Sequence, residues 1–201
     1  MDKLTERLVK AVQNSPDSIA ELETLESLQL CDAFTLKTTM SRLCKAGKLI
    51  RLRRGVYSAN PINDVFTAAQ RIYAGYLGFS SALYIHKLIA ELPFVVTVVT
   101  AYKSGSKRIG AYEFRAVALK EKAIGFESIG NLTVSTRAKT LFDCIYLGKY
   151  SVERGKLILA YADAPLSKAE LREFDSYVAR FATDRTRPEF ESVKISIAKN
   201  G

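Results

Sequence analysis

Apolar and charged positions alternate with a helical period over residues 3 to 14, with Leu4, Leu8, Val9 and Val12 on one side and Lys3, Glu6, Arg7 and Lys10 on the other. This predicts an amphipathic first helix, broken at Asn14, Ser15 and Pro16. Ser18 and Glu21 then stand at the S-x-x-E spacing of a capping box. Ile19, Leu22, Leu25 and Leu28 recur every third position and predict the buried side of a second short helix. Its other side carries Glu21, Glu23 and Glu26, an acidic face expected to point away from any phosphate. A third helix is expected from Thr35, which is preferred to Asp32 as its cap. In it Leu36, Met40 and Leu43 lie at i, i+4 and i+7 and face the core, leaving Lys37, Thr38, Ser41, Arg42 and Lys45 exposed. Gly47 is the expected left-handed stop. In KLIRLRRGVYSA, apolar positions alternate imperfectly with Arg51 and Arg53 around Arg54-Gly55, which predicts two short strands joined by a basic tip.

The turn-rich stretch Ala59-Asn60-Pro61-Ile62-Asn63 is the expected boundary between a domain of residues 1–60 and one of residues 61–201. Beyond it the pattern predicts a helix over residues 64–73 and an extended Gly75–Gly78. A helix SALYIHKLIAEL follows, capped by Ser80 or Ser81 and ended by Pro93. FVVTVVTAY, rich in valine and threonine, suits a central strand. Ser104-Gly105-Ser106-Lys107-Arg108 is an expected basic loop, and Tyr112 to Leu119 a second strand. Phe126–Ile129 and Leu132–Val134 flank the turn Gly130-Asn131. Ser135 is then placed as the cap of the helix TRAKTLFDCIYLG, with Leu141, Phe142 and Ile145 inward. Residues 151 to 163 are helical in pattern, and Pro165 breaks them. A second capping box, Ser167 with Glu170, opens a stripe of Leu171, Phe174, Val178 and Phe181. The tail TDRTRPEFESVKISIAKNG is expected to add a short helix or strand. The predicted fold class is mixed α/β: three helices and a hairpin, then a mixed α/β domain.

A chain of 201 residues, 48% hydrophobic and 25% charged, is long enough to bury one large or two small cores, which argues against large-scale disorder. Lysine and arginine number 30 against 21 acids, a net charge of +9, which favours polyanionic partners. Distribution carries more weight than the total. No acid occurs between Asp32 and Asp64, while Lys37, Arg42, Lys45, Lys48, Arg51, Arg53 and Arg54 all fall in that gap. Cys31, Cys44 and Cys144 are too scattered for a disulfide framework or a zinc site and are expected to be reduced core residues. MDKLTERLVK is charged where a signal peptide is apolar, and no apolar run approaches the ~18 residues of a membrane span. The expectation is a cytoplasmic protein with no membrane partner.

Three helices followed by a basic hairpin are the parts of a winged helix-turn-helix. Exposed hydroxyls and cations on its third helix can reach base edges, while hairpin arginines hold the flanking backbone. The candidate DNA-binding residues are Thr35, Lys37, Thr38, Thr39, Ser41, Arg42 and Lys45 from the helix and Arg51, Arg53, Arg54 and Tyr57 from the hairpin. Lys37, Thr38 and Arg42 are the foremost candidates for the groove. The expected partner is double-stranded DNA, an operator that can be an inverted repeat. No catalytic constellation, cofactor motif or metal-ligand spacing stands out. His86, the only histidine, has no partner at a recognisable spacing and is expected to be packed or hydrogen-bonded. The basic loop at 104–108 shares composition, but not context, with a phosphate-binding loop. Asp143, inside an apolar run, is expected to pair with Arg137 or a strand arginine. Arg185 and Arg187 offer an extra anion contact. Two other readings stand beside DNA binding. One is a metal-dependent nuclease in which Glu113 and Asp143 converge with Lys120 around magnesium. The other is an adaptor whose second domain binds a protein.

RLRRGVY at residues 51–57, SALYIHKLIAELPFVVTVVT at 81–100 and VSTRAKTLFDCIY at 134–146 resemble, in order, the landmarks of the AbiEi antitoxin family, over roughly residues 1–150. The resemblance implies a winged helix-turn-helix joined to an α/β antitoxin domain. It also implies a transcriptional autorepressor in a type IV toxin-antitoxin system, whose second domain counteracts a nucleotidyltransferase-like toxin without necessarily touching it. Such a protein is not an enzyme. The oligomeric state stays open.

Overall fold

Helix α1 (Lys3–Gln13) buries Leu8 and Val12, and helix α3 (Ala33–Lys45) sets Leu36, Met40 and Leu43 in the same core. Leu25 of helix α2 (Leu22–Ser27) joins them. The computed structural model describes residues 3–201, which divide into two units with the joint between Ile72 and Tyr73.

In the first unit, three strands form a sheet of order β1-β3-β2, with β1 Ile19–Glu21, β2 Leu49–Arg53 and β3 Val56–Ala59. Both pairings are antiparallel. The capping box expected at Ser18 and Glu21 is therefore not formed. Ile19, Ala20 and Glu21 pair with Ser58, Tyr57 and Val56 instead. These bonds satisfy the backbone groups along the open edge of β3, and Ala20 enters the core. Ser18 Oγ donates to the Gln13 carbonyl, and Leu28, past the end of α2, is 48% exposed. Asp32, not Thr35, caps α3. Its carboxylate accepts from the amides of Phe34 (3.0 Å) and Thr35 (2.9 Å) and from the Thr35 hydroxyl (2.6 Å). Those bonds, the hydroxyl foremost, hold the Asp32 carboxyl below its ordinary range. At the other end Gly47 turns left-handed as expected, with the Lys48 amide donating to the Leu43 carbonyl. The element order, with a two-residue hairpin tip at Arg54-Gly55, is that of a winged helix-turn-helix.

The joint falls after Ile72 rather than after Asn60 because helix α4 (Val65–Ile72) packs on β2 and buries Val65, Phe66, Ala68 and Ala69. A boundary at 60 would separate a packed helix from its sheet. The turn before α4 is itself pinned, Asn60 Nδ2 donating to the Gly47 carbonyl (2.6 Å) and Asn63 Nδ2 to Ser18 Oγ (2.8 Å).

The second unit holds a six-stranded sheet of order β6-β7-β5-β4-β9-β8. Its strands are β4 Tyr76–Leu77, β5 Val95–Thr100, β6 Gly105–Ile109, β7 Tyr112–Ala118, β8 Phe126–Ile129 and β9 Leu132–Ser135. β5 with β7 and β4 with β9 run parallel, and the other pairs antiparallel. The basic stretch expected as a loop is β6, where Lys107 and Arg108 face Phe114 and Glu113 across the pair. Charged residues suit an edge strand.

Five helices complete this unit: α5 Phe79–Ile85, α6 Arg137–Tyr146, α7 Arg154–Asp163, α8 Lys168–Phe181 and α9 Arg187–Asn200. Two expected caps are replaced. Gly78 precedes α5, while the Ser81 hydroxyl accepts from the Thr97 amide (2.9 Å) and Ser80 donates to the Tyr150 carbonyl (3.0 Å). Thr136 caps α6, because Ser135 is paired with Phe126 in the sheet. α5 stops at Ile85, where Lys87 turns left-handed, well before Pro93. The tail forms α9, with Phe190 and Val193 buried. Tyr76, Val99 and Val117 of the sheet meet Phe79, Phe142 and Phe174 of the helices in one core, where Phe142 stacks on Phe190 at 5.0 Å. The whole is a mixed α/β protein.

The capping box at Ser167 and Glu170 is present in both directions, at 3.3 and 2.7 Å. Ser167→Ala is expected to cost about 1 kcal/mol. In urea this appears as a lower midpoint with an unchanged slope.

Candidate nucleic-acid interface

Because Leu36, Met40 and Leu43 hold one side of α3 in the core, the helix turns its polar side outward. Lys37, Ser41, Arg42 and Lys45 are exposed, and Thr38 and Thr39 half-buried. Thr35 is spent on the cap, its hydroxyl proton given to Asp32. On the hairpin Arg51, Arg53 and Arg54 are exposed, and Gly55 takes φ +76°, which lets the tip close in two residues. Arg53 is partly engaged, since its Nε donates to the Arg71 carbonyl (2.7 Å) at the end of α4. Tyr57 is only 6% exposed and belongs to the core. Burial pushes its phenol up, while the charge of Arg51 pulls it the other way.

A groove of about 890 Å³ separates α3 from the hairpin. Lys37, Ser41 and Lys45 line it from the helix and Arg51, Arg53 and Arg54 from the hairpin, so six of the candidate residues meet there, with Tyr57 beneath them. Thr38, Thr39 and Arg42 lie outside this lining, on the same turns but toward the other flank of the helix.

The acidic face does not point away from these cations. Glu21, Glu23 and Glu26 form the opposite wall of the same groove. β1 is the cause, because pairing with β3 carries the start of α2 to the hairpin tip, where the Leu22 amide donates to the Gly55 carbonyl (2.7 Å). Glu26 stands 3.6 Å from Lys37 Nζ, and Glu21 3.6 Å from Arg71. Both pairs are solvated and contribute little to stability. They nevertheless hold counter-charge beside the basic row.

Phe34 is the exposed residue that the hydrophobic pattern did not single out. It is 80% exposed on the first turn of α3. The signal was present: Phe34 sits two places before Leu36, which on a helix puts it nearly opposite the buried stripe. Cys44 also lines the groove, while it packs against the core beneath. It and Cys31 are half-buried, and Cys144 alone of the three is buried.

Outside this interface His86, Asp143 and Glu113 are engaged structurally. His86 Nε2 lies 2.7 Å from the Ser135 carbonyl. Asp143 pairs with Lys139, one turn earlier, and not with Arg137, which reaches Glu170 and the Ala164 carbonyl. Lys139 and Asp143 are both 0% exposed. Burial pushes the Asp143 carboxyl up to about 6 against the pull of Lys139, and pushes the Lys139 amine down. Glu113 bonds Arg115 on its own strand at 2.7 Å, so Glu113 and Asp143 are held by different partners, and Lys120 is exposed. Among the described residues no group of three or more His, Cys, Asp and Glu side chains could hold a metal ion, and no helix is long and apolar enough to cross a membrane. Arg185 and Arg187 are exposed where α8 gives way to α9.

A winged helix-turn-helix followed by a mixed α/β unit is thus the class that the architecture defines. No protein-family model and no curated protein matches the chain.

Proposed function

We propose that the chain is a cytoplasmic, DNA-binding transcriptional autorepressor, and the antitoxin of a type IV toxin-antitoxin system of the AbiEi kind. The observation that carries the DNA-binding part is the meeting of Lys37, Lys45, Arg51, Arg53 and Arg54 at one groove, beside the exposed polar side of α3. In this reading Thr38, Ser41 and Arg42 face base edges in the major groove, and the hairpin arginines hold the flanking phosphates. The second unit is assigned to counteracting a nucleotidyltransferase-like toxin by the resemblance of residues 81–100 and 134–146.

The test is selection of a duplex by the full chain from a randomised pool, followed by titration at several salt concentrations. The reading expects a linear fall of log affinity with log salt, of slope about 0.9 for each phosphate neutralised. A chain that enriches no duplex and binds DNA without salt dependence would not be a repressor of this kind. Co-expression with a toxin encoded beside the gene addresses the antitoxin part, and unrelieved growth arrest would remove that part alone.

A further inference from the structure

We infer that Phe34 is a sequence-reading side chain, which sets its ring on the C5-methyl group of a thymine in the major groove. The inference rests on the DNA-binding reading above. Phe34, Thr38, Ser41 and Lys45 recur at i, i+4, i+7 and i+11, so they form one outward row along α3. The other apolar residues of the helix core, Leu36, Met40 and Leu43, are at most 3% exposed, while Phe34 stays 80% exposed and joins neither hydrophobic cluster. An aromatic ring left in water at the leading end of a recognition helix has unspent apolar surface.

The neighbours of Phe34 narrow the choice of occupant. Asp32 accepts from the Phe34 and Thr35 amides and places a carboxylate at this helix end, so the end repels a phosphate instead of binding one. Farther along the same side stand Thr38, Ser41, Arg42 and Lys45, which are hydroxyls and cations. A protein-docking face would extend the apolar surface, and this one does not. The cations farther along the row complement a polyanion, and the ring itself matches an apolar spot on that polyanion. In the major groove only thymine presents one, its methyl group. Residues at the start of a recognition helix are those that meet base edges.

The experiment uses the full-length chain and the duplex it selects from a randomised pool. Each dT of that duplex is replaced in turn by dU, which removes only the methyl. At one position the replacement should weaken binding by the wild-type chain about fourfold, the factor for burying a single methyl-sized group. Phe34→Ala should weaken binding to the dT duplex at least as much, with the salt slope unchanged. With Phe34→Ala the dU replacement should then have no further effect. Phe34→Leu should restore part of the dT preference. Because Phe34 is exposed, the thermal transition of the variants should match the wild type, which excludes misfolding as the cause. The inference is overturned if no dU position matters, or if the dU penalty survives in Phe34→Ala. Either result leaves the DNA-binding reading standing, provided that a duplex is enriched and bound with salt dependence. If no duplex is enriched, both fail together.

Discussion

Replacing either partner of the Lys139–Asp143 pair is expected to destabilise the second unit by about 3–5 kcal/mol, because each change leaves one ionisable group uncompensated in the core. Neither side chain has any exposure, and the Lys139 ammonium also lies over the rings of Phe142 and Tyr177, at 5.5 and 5.8 Å. Asp143 Oδ2 has no hydrogen-bond partner, so the site holds this carboxylate mainly through one ion pair. The double change Lys139→Met with Asp143→Leu removes both charges and should be neutral or stabilising by about 1–4 kcal/mol. Urea melts of the wild type, both single variants and the double variant give the coupling directly. Single losses no larger than that of the double variant would show that the pair is not needed as a pair. The pH dependence of Lys139→Met adds a sign. The Asp143 carboxyl is raised from 3.8 to about 6 even with the lysine beside it, so in the variant it rises further. A folded state that binds its proton more tightly than the unfolded chain gains stability as pH falls. Lys139→Met should therefore be weakest at alkaline pH and recover as the pH falls from above about 6 to the unfolded carboxyl's value of 3.8.

What could be read from the sequence follows the distance over which each element is decided. The Leu36, Met40 and Leu43 stripe, the Gly47 stop, the Arg54-Gly55 tip and the Ser167–Glu170 box all rest on contacts within a few residues, and all are present. β1 rests on a strand far along the chain. Ser18 and Glu21 carry a valid local helix-start signal, but the edge of β3 offers Ile19–Glu21 backbone partners along one side, and these win. β6 was hidden for a related reason: an edge strand of glycine, serine, lysine and arginine has no apolar alternation to detect. The partner of Asp143 was within reach of sequence reasoning, since Lys139 stands at i−4 on the same helix face. A lysine on a buried face runs against the ordinary expectation, so the more distant arginines were preferred. In the interface, the row of cations was legible from the acid-free gap. The acidic wall was not, because Glu21, Glu23 and Glu26 reach the groove only through the docking of α2 on the hairpin tip.

Alanine at Arg51, Arg53 and Arg54 together is expected to abolish measurable binding at physiological salt and to lower the salt slope by about 2 to 3, since each phosphate contact contributes about 0.9. The three should not contribute equally. Arg53 already donates its Nε to the Arg71 carbonyl and has less freedom to follow a phosphate, so Arg53→Ala should cost less affinity than Arg54→Ala at the tip, and should also loosen α4. Lys37, drawn toward Glu26 at 3.6 Å, should likewise count for less than Lys45. Fluorescence anisotropy of the selected duplex over a salt series, with each single variant, separates these terms. The opposite wall provides the contrary sign. If a phosphate strand runs along the groove, Glu23→Gln removes a repulsive charge and should tighten binding to every duplex, most at low salt. If Glu23→Gln changes nothing while the arginine variants lose affinity, the strand passes over the hairpin tip and leaves the groove empty. An unchanged slope in the triple variant would mean that the hairpin does not touch the backbone at all.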